Sequence, residues 1–199
     1  MTLTRIVNWS HRLVQEVLRP GDLAADLTAG KGGDTLMLAG AVGDAGRVVA
    51  FDIQSKALGF AAAKLRSSGR EPTCWPPGRV IPDRPGCYLI QACHSSLSIS
   101  VKQPLKAVIM NLGYLPGSDP ARKTEVGTTV EAVRQSLGLL SQGGRLAVTV
   151  YPGHPGGAEE GLAVGDLLRN LAGESWHVLL LEVVNQETAP YLLVAEKKR

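Results

Sequence analysis

The chain of 199 residues, with 44% hydrophobic and 20% charged residues, is long enough for one α/β domain with a full core. Its net charge of +3 permits contact with a polyanion but lacks the dense basic stripe of a dedicated non-specific nucleic-acid binder. Three cysteines without a CxxC pair argue against a disulfide framework and a zinc site, and they fit a reducing compartment. No apolar run approaches the ~20 residues of a membrane span, and no signal-peptide core opens the chain. We therefore expect a cytoplasmic protein without a metal or a membrane partner.

Apolar residues at helical spacing alternate along the chain with short apolar runs typical of buried strands. The predicted helices cover roughly residues 4–18, 34–43, 54–67, 128–140 and 159–171. The predicted strands cover roughly residues 23–27, 47–51, 87–91, 105–110, 146–150, 177–184 and 191–195. Short connections between these elements predict a mostly parallel sheet with right-handed crossovers, and the last two strands predict an antiparallel hairpin.

The alternation is interrupted at residues 69–86, which contain five prolines and three glycines. The α/β pattern resumes afterwards. We therefore interpret this segment as a surface excursion of a single domain that covers residues 1–199, and not as a linker between two domains.

Polar residues follow several of the predicted strands at the points where those strands end. The carboxyl ends of parallel strands meet at one edge of a sheet, where open α/β domains bind their ligands. These ends carry Asp26, Thr28, Gly30, Asp52, His94, Ser95, Asn111, Tyr151 and His154. The sequence therefore predicts one cleft at this edge.

A glycine-rich turn over residues 26–35 joins the first predicted strand to the following helix. Gly30 and Gly32 can adopt positive φ and let a ligand approach the backbone closely. Asp52 is placed to accept hydrogen bonds from the two hydroxyls of a ribose, because a carboxylate only accepts. A nicotinamide dinucleotide and S-adenosylmethionine both fit this arrangement.

The acids around the turn distinguish the two cofactors. A dinucleotide site needs a third glycine and a helix start without negative charge, whereas this chain has Thr35 at the third glycine position and Asp34 as a candidate cap of the helix. Together with Asp26, Asp34 would repel a pyrophosphate but suit a zwitterionic sulfonium ligand. We therefore expect S-adenosylmethionine; a glycine turn with a capping aspartate and no ligand is the alternative. The candidate cofactor-binding residues are Asp26, Thr28, Gly30, Lys31, Gly32, Asp34, Thr35, Asp52, Gln54, His94, Ser95 and Asn111.

A second motif, Asn111-Leu112-Gly113-Tyr114, follows a later strand and resembles the Asn-Pro-Pro-Tyr motif of amine-directed methyltransferases. A nitrogen nucleophile needs its lone pair in line with the methyl group and the sulfur. The Asn111 side-chain oxygen and the Leu112 carbonyl can accept its N–H bonds, and Tyr114 can stack on a base, so catalysis would come mostly from positioning. A tight turn without catalytic function is the alternative. His154, in a glycine-rich loop, is a further candidate for substrate binding or proton relay, or a structural histidine.

Taken in order, these motifs resemble the rRNA methylase family of YtqB type. The matching segments are residues 26–35, 51–54, 94, 111–117, 124–129, 151–157, 160 and 185–186. The resemblance implies a class I S-adenosylmethionine-dependent methyltransferase (Rossmann-like) fold: a seven-stranded, mostly parallel sheet with a C-terminal antiparallel hairpin and helices on both faces. The characterised members are tRNA methyltransferases of MnmM type, which methylate the amine of 5-aminomethyl-2-thiouridine at the wobble position. The resemblance thus implies an RNA-binding enzyme of tRNA modification. Lys31 and the proline-rich segment depart from the family pattern.

Three hypotheses on function follow. The first is an N-methyltransferase that acts on the anticodon region of tRNA, with a local basic patch from Arg122 and Lys123 or from Arg5 and Arg12. The second has the same chemistry with rRNA or a small amine as the acceptor. The third is a non-catalytic cofactor-binding module or a dinucleotide oxidoreductase. The sequence permits a homodimer but does not fix the oligomeric state.

Overall fold

The computed structural model describes residues 5–113, 124–153, 155–186 and 188–198. The helices are α1 (Ile6–Gln15), α2 (Gly33–Val42), α3 (Ser55–Ser67), α4 (Leu97–Ser100), α5 (Val126–Leu139) and α6 (Gly157–Arg169). The strands are β1 (Leu23–Asp26), β2 (Arg47–Asp52), β3 (Thr73–Cys74), β4 (Gly86–Gln91), β5 (Leu105–Leu112), β6 (Leu140–Val150), β7 (Trp176–Leu181) and β8 (Tyr191–Lys197).

The described strands form one sheet in the order β3-β4-β2-β1-β5-β6-β8-β7. The pairs from β3 to β6 are parallel, whereas β8 is antiparallel to both of its neighbours, β6 and β7. Strands β2 to β4 lie on one side of β1, and strands β5 to β8 lie on the other, so the direction in which strands are added reverses between β1 and β5. Ligands of open α/β sheets bind at such a switch point. The α/β fold, the mostly parallel sheet and the C-terminal antiparallel hairpin are confirmed.

The number of strands differs from the sequence prediction. All seven predicted strands are present, and the two-residue strand β3 adds an eighth at the edge of the described sheet. Prolines surround β3 on both sides, so its segment shows no strand periodicity, and only its pairing with β4 makes it a strand.

Helices cover both faces of the sheet, as predicted. The buried side chains of α1, α2 and α3 pack with one set of alternate strand residues, such as Val48 and Ala50. Those of α4, α5 and α6 pack with the other set, such as Val49 and Phe51. Because both faces are covered, the central strands are continuous apolar runs and not alternating patterns.

Two regions differ from the predicted element boundaries. The strand predicted over residues 146–150 begins earlier, at Leu140, so Gly143 and Gly144 lie within β6, where the register with β5 shifts between the pairs Leu105–Leu140 and Ala107–Arg145. Between these pairs, β6 advances by five residues and β5 by two, so the first part of β6 pairs with β5 in an irregular register. A 3₁₀ turn (His94–Ser96) and the short helix α4 follow β4, where the sequence showed no helical period.

The proline-rich segment packs against the edge of the sheet. The Trp75 backbone N–H donates to the Leu89 carbonyl at 2.8 Å, and the Trp75 ring meets the Tyr88 ring edge-on with centroids 5.7 Å apart. Ile81 is buried in the core of that face. The segment therefore contributes one of the walls of the domain core.

Helix α1 lies across the sheet and is tied to it by an ion-pair network. The Arg145 guanidinium donates to the Leu13 carbonyl at 2.6 Å, to Glu16 at 2.9 Å and to Glu196 at 2.6 Å. Ile6 and Val14 of α1 are buried in the core. This docking places His11, on the same helix, beside Asp34 in the first turn of α2. In the described part of the chain, every helix is too short or too polar to cross a membrane.

Candidate active site

A cavity of about 750 Å³ lies at the carboxyl ends of the parallel strands, where the sequence predicts the cleft. The residues of the sequence prediction that line it are Thr28, Gly30, Lys31, Asp34, Asp52, Gln54, His94, Asn111 and Leu112. The fold therefore brings residues from β1, β2, β4 and β5 into one site.

Other predicted residues lie elsewhere. Asp26 and Thr35 are fully buried beneath the glycine turn, and neither lines the cavity. The Ser95 hydroxyl donates to Cys93 Sγ at 3.1 Å and also lies outside the lining. Tyr114 and His154 lie outside the described residues.

The two glycines of the turn have different roles. Both adopt positive φ, +51° at Gly30 and +72° at Gly32. Gly30 lines the cavity, and its N–H donates to Asp52 Oδ2 at 3.0 Å. Gly32 does not line it; a Cβ at Gly32 would lie 2.5 Å from Ala61 Cα of α3. The close approach predicted for Gly32 is therefore to α3, and only Gly30 is placed to approach a ligand.

The buried Asp26 carboxylate holds the glycine turn through hydrogen bonds to residues on either side of it. Its Oδ1 accepts the Thr28 N–H at 3.1 Å, and its Oδ2 accepts the Thr35 hydroxyl at 2.5 Å. Burial, with the nearby Asp34 carboxylate as a second cause, raises the pKa of Asp26 to about 7. Asp34 is thus the acid of the turn that lines the cavity, and Asp26 supports the loop.

Asp52, at the end of β2, is positioned by two backbone groups. Its Oδ2 accepts the Gly30 N–H, and its Oδ1 accepts the Gln54 N–H at 2.9 Å. Burial raises the pKa of Asp52, and these backbone hydrogen bonds oppose the shift. Since a carboxylate offers about four acceptor positions, each oxygen can accept a further bond from a ligand hydroxyl.

His94 is a buried, neutral histidine on the cavity wall. Burial lowers the pKa of His94 to about 4, while a hydrogen bond to the Leu27 carbonyl opposes this shift. Its Nε2 has no hydrogen-bond partner among the residues that the structure describes. An orphaned buried ring nitrogen in a cavity wall is suited to a polar ligand group.

Asn111 lies near the carboxyl end of β5. Its backbone N–H donates to Thr28 Oγ1 at 2.8 Å, which joins the end of β5 to the loop after β1. Its side-chain Nδ2 donates to Asp34 Oδ2 at 2.5 Å. The side-chain Oδ1 is buried and makes no hydrogen bond within the described ranges. Asn111 thus presents an acceptor whose partner the described protein does not supply.

Asp34 does not cap helix α2, contrary to the prediction. The helix begins at Gly33 after Gly32, and no side chain caps it. Asp34 is in the first turn, where its carboxylate bonds Asn111 through Oδ2 and His11 Nε2 through Oδ1 at 2.5 Å. The long-range partners explain the difference, since a side chain held by α1 and β5 is not available to cap its own helix.

Two residues around Asp34 were not among the candidate catalytic and cofactor-binding residues, although Tyr151 was placed at the end of a strand at the cleft. Tyr151 follows β6 and lines the cavity; burial, with the Asp34 charge as a second cause, raises the pKa of Tyr151 above its ordinary value of 10. Its place at a strand end was a usable signal. The sequence predicts that His11 borders the cleft only if the first helix packs across the strand ends, a condition of tertiary packing that helical spacing does not settle.

The backbone beyond Asn111 is held by a buried carboxylate. Gly113 and Thr124 pair through Gly113 N–H to Thr124 Oγ1 at 2.8 Å and Thr124 N–H to the Gly113 carbonyl at 2.9 Å. The Thr124 hydroxyl donates to Glu160 Oε2 at 2.7 Å, and the Thr129 hydroxyl donates to Glu160 Oε1. We call these four residues, Gly113, Thr124, Thr129 and Glu160, the Glu160 clamp. It fixes the backbone that follows Leu112.

Within the described residues, no three His, Cys, Asp or Glu side chains come together as metal ligands.

A family model, "Putative rRNA methylase", matches residues 48–197 of the chain. This chain belongs to that rRNA methylase family. A curated relative, the chloroplastic tRNA (mnm(5)s(2)U34)-methyltransferase of Arabidopsis thaliana, is 30% identical over 198 residues, which cover 95% of this chain and 68% of the relative.

Two solved structures share this fold over nearly their whole length. A "putative rRNA-methylase" from Clostridium thermocellum has a TM-score of 0.87 at 33% identity and covers 99% of this chain and 100% of its own. A "putative methyltransferase" from Streptococcus mutans, solved in complex with S-adenosylhomocysteine, has a TM-score of 0.81 at 32% identity and covers 97% of this chain and 98% of its own.

These comparisons confirm the predicted family, the class I fold, the activity and the cofactor. The rRNA methylase family member described here is an S-adenosylmethionine-dependent methyltransferase of the RNA-methylase type. The Asp52 acceptors, the positive φ of Gly30 and the orphaned His94 Nε2 fit such a cofactor at the ends of β1, β2 and β4.

Proposed function

We propose that this methyltransferase modifies a primary amine of tRNA, the aminomethyl group of 5-aminomethyl-(2-thio)uridine at the wobble position. The observation that carries the proposal is the buried Asn111 Oδ1, an acceptor without a partner in the described protein, on the wall of the cofactor cavity. A buried acceptor costs free energy unless a ligand satisfies it, and an amine N–H does so.

The choice of tRNA is supported by the relative from Arabidopsis thaliana, whose name specifies position 34 of tRNA and a methylaminomethyl product. The net charge of +3 is compatible with a short anticodon loop, because only a local patch of positive charge has to meet the phosphates. The predicted patches are Arg122 with Lys123 and Arg5 with Arg12.

The β1–β2–β4 part of the cavity would hold the cofactor. Asp52 would accept hydrogen bonds from the ribose hydroxyls, and Gly30 would allow the ligand to approach the backbone. His94 Nε2, a lone-pair acceptor because the ring is neutral at pH 7, would accept from the adenine. When bound, S-adenosylmethionine supplies an electrophilic methyl group on a sulfonium sulfur.

The Asn111 part of the cavity would hold the amine. A protonated amine has no lone pair, so the amine binds in its neutral form after losing a proton to water. Asn111 Oδ1 and the Leu112 carbonyl accept its N–H bonds and direct the lone pair toward the methyl carbon. A C–N bond forms as the S–C bond breaks, and the surplus proton leaves the product amine. Alignment of two reactants is the main source of rate in this scheme.

The remaining site residues of the sequence prediction keep their proposed roles. Tyr114 would stack on the uridine base, and His154 would bind substrate or relay a proton. The homodimer and the cytoplasmic location also stay predictions.

The test is an assay of modified nucleosides by mass spectrometry. The full-length enzyme is incubated with S-adenosylmethionine and, in separate reactions, with tRNA that carries 5-aminomethyl-2-thiouridine, with unmodified rRNA, or with a small primary amine. We expect 5-methylaminomethyl-2-thiouridine to form in the tRNA reaction and not with Asn111→Ala. The exposed Asn170, whose amide bonds only its own helix, provides the matched control Asn170→Ala.

An unchanged pool of aminomethyl uridine, together with methylated rRNA or a methylated small amine, would replace the proposed substrate and leave the methyltransferase assignment intact. Methylation of tRNA at a carbon or an oxygen would refute the proposed role of Asn111, because neither reaction needs an acceptor for amine N–H bonds.

A further inference from the structure

We infer that His11 is a positioning residue for methyl transfer, which acts through Asp34 to hold the Asn111 amide in the orientation that receives the substrate. The inference rests on the proposed function for the identity of the nucleophile. It adds a residue of the N-terminal helix to a site that is otherwise built from the ends of the strands.

Three side chains form a continuous hydrogen-bonded chain. His11 Nε2 lies 2.5 Å from Asp34 Oδ1, and Asp34 Oδ2 lies 2.5 Å from Asn111 Nδ2. The residues come from α1, α2 and β5, and 23 positions separate the first pair and 77 the second. Each oxygen of the Asp34 carboxylate therefore has its own donor.

The carboxylate determines which end of the amide faces it. An ionised carboxylate is an acceptor only, so Asn111 has to present its NH₂ group to Asp34. The opposite orientation would place the amide oxygen against a carboxylate oxygen and lose the hydrogen bond. With Nδ2 committed to Asp34, Oδ1 is left as the acceptor for the substrate.

The second oxygen of the Asp34 carboxylate, Oδ1, also needs a hydrogen-bond donor, which is the role of His11. The Asp34 side chain is only 11% exposed and lies close enough to Asp26 to raise the pKa of that carboxyl group. Without a donor on Oδ1, the Asp34 carboxylate is free to rotate, and Nδ2 of Asn111 loses its fixed partner. The His11 ring N–H thus holds the carboxylate, and the carboxylate holds the amide.

If the role of His11 were purely structural, removal of its ring would weaken folding or cofactor binding as well as turnover. Its side chain is 26% exposed, and α1 is anchored by buried Ile6 and Val14 and by the Arg145 network. Loss of the ring should therefore leave the docking of α1 and the cofactor part of the cavity in place. The expected defect is confined to turnover.

The experiment compares His11→Phe, His11→Gln and the control His177→Phe in the full-length chain. Phe keeps the size of the ring without a donor, whereas Gln restores an N–H at a similar reach. His177 is 70% exposed on β7 and does not line the cavity; its ring lies 4.0 Å from Glu196, so the control also shows whether a ring lost beside the Arg145 network affects turnover. We expect kcat of His11→Phe to fall about tenfold or more, with Kd for S-adenosylhomocysteine within about twofold of the wild type, and His11→Gln to recover most of the loss.

A substrate-independent measurement separates this inference from the proposed function. The ¹⁵N–¹H signals of the Asn111 side-chain amide are assigned by their loss in Asn111→Asp. They should move toward the position of a solvated asparagine in His11→Phe and return in His11→Gln, even if tRNA proves to be the wrong substrate. Unchanged amide signals in His11→Phe would overturn the inference. So would a loss of cofactor affinity by the same factor as the loss of kcat, or a melting temperature so low that unfolding accounts for the loss of kcat.

Discussion

The two sides of the cavity are built in different ways. On the side of β2, the carboxylate of Asp52 is held by backbone N–H groups of Gly30 and Gln54, which lie in neighbouring turns. On the side of β5, the amide of Asn111 is held by the side chain of Asp34, which is held in turn by His11. We call these the β2 side and the β5 side.

In the proposed mechanism, this difference would separate cofactor binding on the β2 side from methyl transfer on the β5 side. Backbone N–H donors are present whatever the side chain, so the β2 side is preorganised wherever the backbone forms these two turns. The β5 side depends on the identity of three side chains from three elements, and one substitution can uncouple it. We therefore expect changes on the β2 side to alter cofactor affinity and changes on the β5 side to alter turnover.

The largest expected effect comes from Asn111→Ala. The variant keeps the backbone N–H that bonds Thr28 but loses the Oδ1 acceptor, so kcat should fall by about 100- to 1000-fold. Its Kd for S-adenosylhomocysteine, measured by calorimetry, should stay within a few fold of the wild type. A loss of cofactor affinity equal to the loss of turnover would break the division between the two sides.

The corresponding change on the β2 side is Asp52→Ala. It removes the acceptor for two backbone N–H groups and, as proposed, for the ribose hydroxyls, so Kd for S-adenosylhomocysteine should rise by about 10- to 100-fold. At saturating S-adenosylmethionine, kcat should recover to near the wild-type value. A kcat defect that saturating cofactor does not repair would show that Asp52 also takes part in the chemistry.

A smaller effect, on stability, is expected at the Glu160 clamp, which fixes the backbone that follows β5. Glu160→Ala leaves the hydroxyls of Thr124 and Thr129 without their acceptor and should lower the free energy of unfolding by about 2 kcal/mol. This corresponds to a fall in melting temperature of roughly 4–8 °C for a chain of this size. The neighbouring exposed Glu159 gives the control Glu159→Ala, which should leave the melting temperature within ~1 °C.

The smallest expected effect is a change in folding stability with pH, which tests whether the His94 ring on the β2 side is neutral. The pKa of His94 is lowered from 6.5 to about 4 by burial, so between these values the unfolded chain binds more protons there than the folded one. Its contribution to stability is therefore complete above pH 6.5 and is lost as the pH falls toward 4, by about 1–2 kcal/mol at pH 5.

The measurement for this prediction is thermal unfolding of the wild type and His94→Gln across that pH range. Gln carries no titrating group, so the difference between the two proteins should change with pH, whereas His177→Gln on exposed β7 should follow the wild type. Parallel curves for wild type and His94→Gln would show that the ring is not held neutral by the fold.

The β2 side was largely predictable from the sequence. Gly30 and Asp52 are 22 positions apart, but both follow consecutive parallel strands, whose carboxyl ends share one edge of the sheet, and the structure brings both to the cavity. The pattern predicted the positive φ of Gly32 but not its contact with α3, since a φ preference does not reveal that the missing Cβ makes room for Ala61. The cap predicted for Asp34 failed for the same kind of reason, because its partners come from α1 and β5.

By itself, the sequence determined the order of the seven predicted strands and five predicted helices and the residues that follow those strands, because hydrophobic period and turn residues act over a few positions. It also determined the family, through motifs that stay contiguous in the chain. Only the tertiary structure decided that His11 and Asn111 both bond Asp34, and that Thr124 and Thr129 share Glu160. These contacts join residues 23 to 77 positions apart, and their geometry depends on how α1, α5 and α6 pack on the sheet, which no local pattern encodes.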